Sequence, residues 1–303
     1  LYLPSGCAHG QASRSAPPAQ CKTPSTHTPA PGHPRHQHDN VMNHADWVLV
    51  TGGAHRLGRE IALAFAKAGW KVLCHYRSSA TGAQQTQAAI EALGGTCELV
   101  PLDLALPEAG PHLLEQCLAL AGTAPRCIVN NASVFEADDA LTATAHNMLQ
   151  HFQTNTVTPL LLANALCGWV KAHGEQVNGH YSVVHVLDQK VHNLNPDYFS
   201  YTVSKLALER SVALQAQALA PHVRVCGISP GLMYLSGPQT QDNFDRSSKI
   251  NLLEHAIDPA NVAASALFIA GNGSLNGCTL QTDNGQHLIP LHRDVMWAID
   301  EKP

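Results

Sequence analysis

Trp47-Val48-Leu49-Val50-Thr51-Gly52-Gly53-Ala54-His55-Arg56-Leu57-Gly58 decides the fold. Four apolar residues form a strand too short and too uniformly apolar to have a wet face. The glycines allow a tight turn and close approach of a pyrophosphate to the N-terminus of the helix that follows. That helix is expected over residues 59–68, where Ile61, Leu63, Ala64 and Phe65 recur at helical spacing.

The same alternation continues outward. Strands are expected at 71–75, 97–101, 127–129, 183–187, 223–228 and 278–281. Helices are expected at 81–93, 107–121, 145–173 with a kink near Pro159, 198–219 and 259–269. Short apolar strands alternating with helices imply a parallel sheet covered on both faces. Right-handed crossovers make it doubly wound. The expected fold class is therefore α/β, a single doubly wound domain over residues 45–303 with a mostly parallel seven-stranded sheet. Residues 232–257 are polar and weakly patterned, and follow the sixth strand at the edge where ligands bind. They read as a substrate-covering loop.

Residues 1–44 differ in composition. Pro17-Pro18, Thr28-Pro29-Ala30-Pro31 and His33-Pro34-Arg35-His36-Gln37-His38 cannot bury enough apolar surface to order themselves. Their histidines lack the framing of a metal site, so a solvated tail is expected and no metal. Met42 stands just before the first strand, which suggests that the tail lies upstream of the native start. The net charge of −5 and the lack of a basic stripe argue against nucleic acid. No apolar run reaches the roughly 18–20 residues of a membrane span. Nine cysteines at irregular spacing, with no Cys-x-x-Cys, suggest reduced thiols and a cytoplasmic location.

Three residues carry chemistry. Tyr201 and Lys205 are four apart and share a helix face. An ammonium there would favour the phenolate and bring the tyrosine toward the working range. Asp188 ends the fifth strand and could point into the same crevice. The trio suggests hydride chemistry on a substrate that also receives a proton. The second strand ends Cys74-His75-Tyr76-Arg77-Ser78-Ser79, without the acid that binds both ribose hydroxyls of NAD. Arg77 and Arg56 are cationic and suit a 2′-phosphate, so the expected cofactor is NADPH.

In order along residues 46–287, the chain carries a T-G-x-x-x-G-x-G-like turn, Asn130-Asn131-Ala132-Ser133, Asn155, Tyr-x-x-x-Lys and Pro230-Gly231. It resembles the short-chain dehydrogenases/reductases. Within them it resembles the pteridine reductases, which reduce dihydromonapterin or dihydrobiopterin. Arg56 in the turn, His75-Tyr76-Arg77-Ser78, Asn131-Ala132-Ser133-Val134-Phe135, and Asp188 in place of the usual serine carry that likeness. The resemblance implies a cofactor site of Gly52, Arg56, Leu57, Gly58, His75, Tyr76, Arg77, Ser78, Asp103, Asn131, Ala132, Ser133, Tyr201, Lys205, Pro230 and Gly231. It implies Lys205 on the nicotinamide ribose and Asn155 holding a water that links Lys205 to solvent. Phe135 would stack on the pterin, with Arg56 and Ser133 facing the ligand. A homotetramer is expected, as is usual in the family.

The aspartate bears on the substrate. An ionised carboxylate only accepts hydrogen bonds and would repel the alkoxide that forms on ketone reduction. A pterin C=N bond takes hydride on carbon and a proton on nitrogen, which suits Asp188 beside Tyr201. Two rivals stay open: a carbonyl or 3-oxoacyl reductase of the same fold, and an NADP-binding sensor without turnover. Met233 stands where pteridine reductases often carry serine, and Asp283-Asn284-Gly285 replaces Asp-Gly-Gly.

Overall fold

The computed structural model describes residues 46–173 and 181–299. The expectations for the tail at 1–44 lie outside the described residues. Seven strands form one sheet: β1 Trp47–Val50, β2 Lys71–Tyr76, β3 Cys97–Pro101, β4 Cys127–Asn130, β5 Tyr181–Val186, β6 Val223–Pro230 and β7 Thr279–Thr282. Their order is β3-β2-β1-β4-β5-β6-β7, and every pairing is parallel. The sheet is thus wholly rather than mostly parallel.

Side chains alternate across β1 and build both faces. Val48 and Val50 join Ile61 and Phe65 of α1 Arg56–Lys67 and Val262 and Ile269 of α8 Pro259–Gly271. Trp47 and Leu49 join Leu113 of α3 Ala109–Ala121 and Leu162 and Leu166 of α5 Thr158–His173. Burial on both faces explains the unbroken apolar runs. Each fully buried Leu, Ile or Phe contributes about 1.5–3 kcal/mol relative to exposure. The remaining helices are α2 Ala80–Ala92, α4 Ala145–Phe152, α6 Phe199–Leu219, α7 Gln241–Ser247 and α9 Val295–Ala298.

The chain reverses its winding between β1 and β4, where Val50 lies beside Val129. The carboxyl ends of these strands open a crevice there, the ligand position of doubly wound sheets.

Element boundaries shift by up to three residues, α1 starting at Arg56 rather than 59, and other differences have a physical reason. The helix expected over 145–173 is interrupted by a π turn at Gln153–Val157. Pro159 has no N–H for the carbonyl four residues back, that of Asn155, so the disturbance falls before the proline. The helix expected from 107 begins at Ala109. The stretch 232–257 contains α7, capped by Thr240, whose side chain accepts from Asn243 N. Gln239, Asn243 and Ser247 recur every four residues and are buried, with Gln239 Nε2 2.8 Å from Asn243 Oδ1 and Ser247 Oγ. A helix whose inward face is polar leaves no apolar period to detect.

Candidate active site

A continuous cleft of about 670 Å³ lies over the carboxyl ends of the strands. It is lined by every predicted site residue except Asn155.

The turn after β1 is held from below. Thr51 Oγ1 accepts from Asn131 N at 2.9 Å and Ala132 N at 3.0 Å, and Asn131 Nδ2 donates to Thr51 O at 2.9 Å. The motif after β4 thereby fixes the glycine turn after β1. Gly52 has φ +68°, and a Cβ on Gly58 would lie 2.1 Å from Gly52 O. The turn therefore passes the helix start with no room for a side chain, leaving backbone N–H groups for a phosphate. Arg56 occupies the position usual for the middle glycine with φ 49°, uncommon for a side-chain-bearing residue. Its guanidinium donates to Leu235 O and lies 5.4 Å from the Tyr234 ring centre, so it bridges the turn and the segment after β6.

At the end of β2, Arg77 and Ser78 are exposed in the cleft, and no acid follows the strand. His75 lines the floor of the cleft. It is buried beneath the turn, with Nδ1 accepting from Gly52 N at 3.1 Å and Nε2 3.0 Å from Leu102 O. Nδ1 must therefore be bare and Nε2 protonated. Burial lowers its pKa to about 4, against the opposing effects of Leu102 O and Asp103. His75 shapes the phosphate turn as a neutral imidazole. Asp103 uses Oδ1 to accept from Ala105 N at 3.0 Å, which holds its loop at the cleft edge.

The trio converges. Tyr201 O–H donates to Asp188 Oδ2 at 2.8 Å. Asp188 Oδ1 accepts from Lys190 N at 2.9 Å, and Ser229 Oγ donates to Asp188 O at 2.7 Å. Burial raises the Asp188 pKa, partly offset by Lys190 and the Tyr201 hydrogen bond. Burial also holds the Tyr201 pKa well above its ordinary value, and the adjacent Asp188 charge adds to this.

Lys205 lies beside Tyr201 on the shared helix face, and its hydrogen bond goes to the end of β5. Its ammonium donates to Val186 O at 2.7 Å and lies 5.7 Å from the Tyr201 ring centre. Burial lowers its own pKa to about 8, against the opposing Asp188 charge. The direct charged neighbour of the phenol is the carboxylate, so the phenol keeps its proton.

Asn155 sits below the cleft in the π turn and is held by protein groups. Its Oδ1 accepts from Val134 N at 2.8 Å, and Nδ2 donates to Val134 O and Ser204 Oγ, both at 3.0 Å. The side chain clamps the backbone between Ser133 and Phe135. Phe135 stacks on Tyr198 with centroids 4.2 Å apart and meets Tyr201 edge-on at 4.7 Å. One of its faces is therefore already occupied. Ser133 is exposed at the cleft.

Several site residues had no local signal. Gln286 is buried, and its Oε1 accepts from Leu232 N at 2.9 Å, which sets the turn after Pro230-Gly231. Lys190, Asp294 and Met296 line one end of the cleft, and Tyr198 stacks on Phe135 beside it. They come from parts of the chain about a hundred residues apart, Lys190 to Asp294 being 104. Only the adjacency of Lys190 to Asp188 was available in the sequence.

No cluster of metal-ligating side chains occurs among the described residues, and no described helix is long and apolar enough to cross a membrane. The seven described cysteines are free thiols.

A parallel sheet with a glycine turn at its winding reversal and a Tyr-Lys helix facing it defines a nicotinamide-dependent oxidoreductase. The family model described as Enoyl-(Acyl carrier protein) reductase matches residues 52–287. The chain belongs to this short-chain dehydrogenase/reductase family. It is similar to FolM Alternative dihydrofolate reductase 1 from Brucella canis, solved in complex with NADP. That similarity has a TM-score of 0.75 and 32% identity, covering 82% of this chain and 96% of that one. Dihydromonapterin reductase of Shigella sonnei is 25% identical over 249 residues, 80% of this chain and 96% of the relative. An uncharacterized oxidoreductase of Mycobacterium tuberculosis is 29% identical over 243 residues, 78% of this chain and 90% of the relative.

Proposed function

We propose that the protein reduces a dihydropterin with NADPH. The Tyr201–Asp188 hydrogen bond of 2.8 Å, inside the cleft, carries this reading. The substrate class is supported by the dihydromonapterin reductase and FolM relatives.

The residues present fit the cofactor. Gly52 and Gly58 leave the turn bare for the pyrophosphate, and Arg77 offers its charge where a 2′-phosphate would lie. Lys205 is proposed to hold the nicotinamide ribose. When bound, NADPH supplies a hydride to a ring carbon of the substrate. Tyr201 and Asp188 hold the proton that goes to the adjacent ring nitrogen. Burial raises both pKa values and the Asp188 charge raises that of Tyr201 further, so the phenol holds the proton it donates to Asp188. An ionised carboxylate suits a ring with nitrogens and N–H donors, and it disfavours a developing alkoxide. Asn155 fixes the Ser133–Phe135 backbone, and Phe135 offers its free face to the planar substrate. Arg56, from the glycine turn, closes the edge toward Leu235.

Assembly as a homotetramer is proposed through α4, α5 and α6, supported by exposed Leu149, Val157 and Leu214 in this region. Light scattering would give the mass directly. A cytoplasmic location accords with the free thiols.

The deciding assay follows NADPH oxidation with dihydromonapterin, dihydrobiopterin, dihydrofolate and a β-keto ester. Turnover of one or more pterins is expected. Turnover of the keto ester alone would make the protein a carbonyl reductase, and cofactor binding without turnover of any of them would make it a sensor.

A further inference from the structure

Lys190 sits two residues beyond Asp188, in the 3-10 turn Gln189–Val191. Its backbone N–H occupies Asp188 Oδ1, which leaves Oδ2 for Tyr201. Its side chain runs the other way and is almost fully buried. Nζ donates to Asp294 Oδ2 at 3.0 Å and Asn195 Oδ1 at 2.6 Å. Side-chain exposures are 3% for Lys190 and 11% for Asp294.

Asp294 is itself anchored. Its N–H donates to Asp197 Oδ2 at 2.8 Å, and its Oδ1 accepts from Met296 N at 3.2 Å. Arg293 pairs with Asp197 at 2.9 Å. Tyr198 O–H meets Met296 Sδ at 3.3 Å, and Asn243 Nδ2 of α7 donates to Met296 O at 2.8 Å. One polar chain therefore runs from the carboxylate beside Tyr201 to the C-terminal segment and α7. A buried ion pair adds little net stability over an apolar pair of the same shape, because both charges lose their water. Fold stability alone therefore does not account for a buried pair lining the cleft.

We propose that Lys190 and Asp294 are positioning residues for proton delivery. The pair docks the C-terminal segment against the turn that aims Asp188 at Tyr201, and it balances charge beside that carboxylate. This rests on the reading of Asp188 and Tyr201 as the proton site. The charged and titratable groups facing Asp188 are Tyr201 and Lys205 from α6, Lys190 from its own turn and Asp294 from the C-terminal segment. Lys190 favours the Asp188 carboxylate and Asp294 opposes it. Removing each should therefore move Asp188 in opposite directions.

The test titrates the Asp188 carboxyl by carbon NMR in aspartate-labelled, cofactor-free protein, with the signal assigned by its loss in Asp188→Asn. Lys190→Met should raise the Asp188 pKa, and Asp294→Asn should lower it, each by on the order of one pH unit. The double variant should return close to wild type, and Lys190→Arg should match it. The alkaline limb of dihydropterin turnover should move in the same directions, since the protonated pair is the active form. If Lys190→Met does not fold, as judged by NADPH binding, Asp294→Asn and the double variant still give the comparison. Shifts of the same sign, no shifts, or a double variant that fails to return would overturn the inference. Opposite shifts in a protein that reduces no pterin would uphold the pair and overturn the proposed substrate.

Discussion

His75 makes the glycine turn sensitive to acid. In the folded protein Nδ1 accepts from Gly52 N, so a second proton would set a donor against a donor in a buried site. Its folded pKa of about 4 compares with 6.5 for an unperturbed histidine. The unfolded chain therefore takes up the proton first as pH falls. The neutral imidazole's contribution is intact above about pH 6.5 and is lost progressively as pH falls toward 4. The window spans from about pH 6.5 to about pH 4. At about 1.4 kcal/mol per pH unit this is about 3 kcal/mol, a large part of a typical stability of about 5–15 kcal/mol. His185 is buried between Asn130 and Gln215 and is also lowered to about 4, so wild type carries two such groups. His75→Gln isolates one of them. Urea unfolding should be followed from neutral pH down to about 4 for both proteins. The wild-type curve should fall more steeply, by up to about 1.4 kcal/mol per pH unit. NADPH affinity should weaken in acid along with it. Parallel stability curves would show that His75 is not held neutral by the turn and would refute the reasoning.

Other outcomes follow from the same geometry. Gly58→Ala places a Cβ 2.1 Å from Gly52 O, a backbone atom that cannot step aside, so NADPH affinity should fall at least about tenfold by fluorescence titration. Tyr201→Phe removes the hydroxyl on Asp188 Oδ2 and should lower kcat by about 10²–10⁴ while NADPH still binds; a fully active variant would take tyrosine out of proton delivery. Arg77→Asp should weaken NADPH far more than NADH in paired titrations, and an unchanged preference would contradict the phosphate assignment.

Much of this was legible because parallel strands declare themselves. Val48 to Val50, Ile128 and Val129, and Val183 and Val184 are buried on both faces, so apolar runs alone mark the sheet. The glycine turn was legible because only glycine fits where Gly58 meets Gly52. Tyr201 and Lys205 were legible from helical spacing, and Asp188 from its place at a strand end. Helix α7 was not legible, because its buried residues Asn243 and Ser247 are polar and are satisfied by hydrogen bonds to the preceding Gln239 rather than by apolar burial.

Local chemistry in the chain was thus enough to determine the alternating fold and the family, and to single out the glycine turn and the trio of Asp188, Tyr201 and Lys205. The tertiary structure alone decided what each member faces. Lys205 meets a carbonyl and leaves the phenol to Asp188, Asn155 grips the Val134 backbone, and His75 supports Gly52 from below. Lys190 finds Asp294 across 104 residues. The reason is physical: spacing along a helix or strand dictates which residues share a face, whereas a buried polar group is governed by whichever distant partner satisfies it.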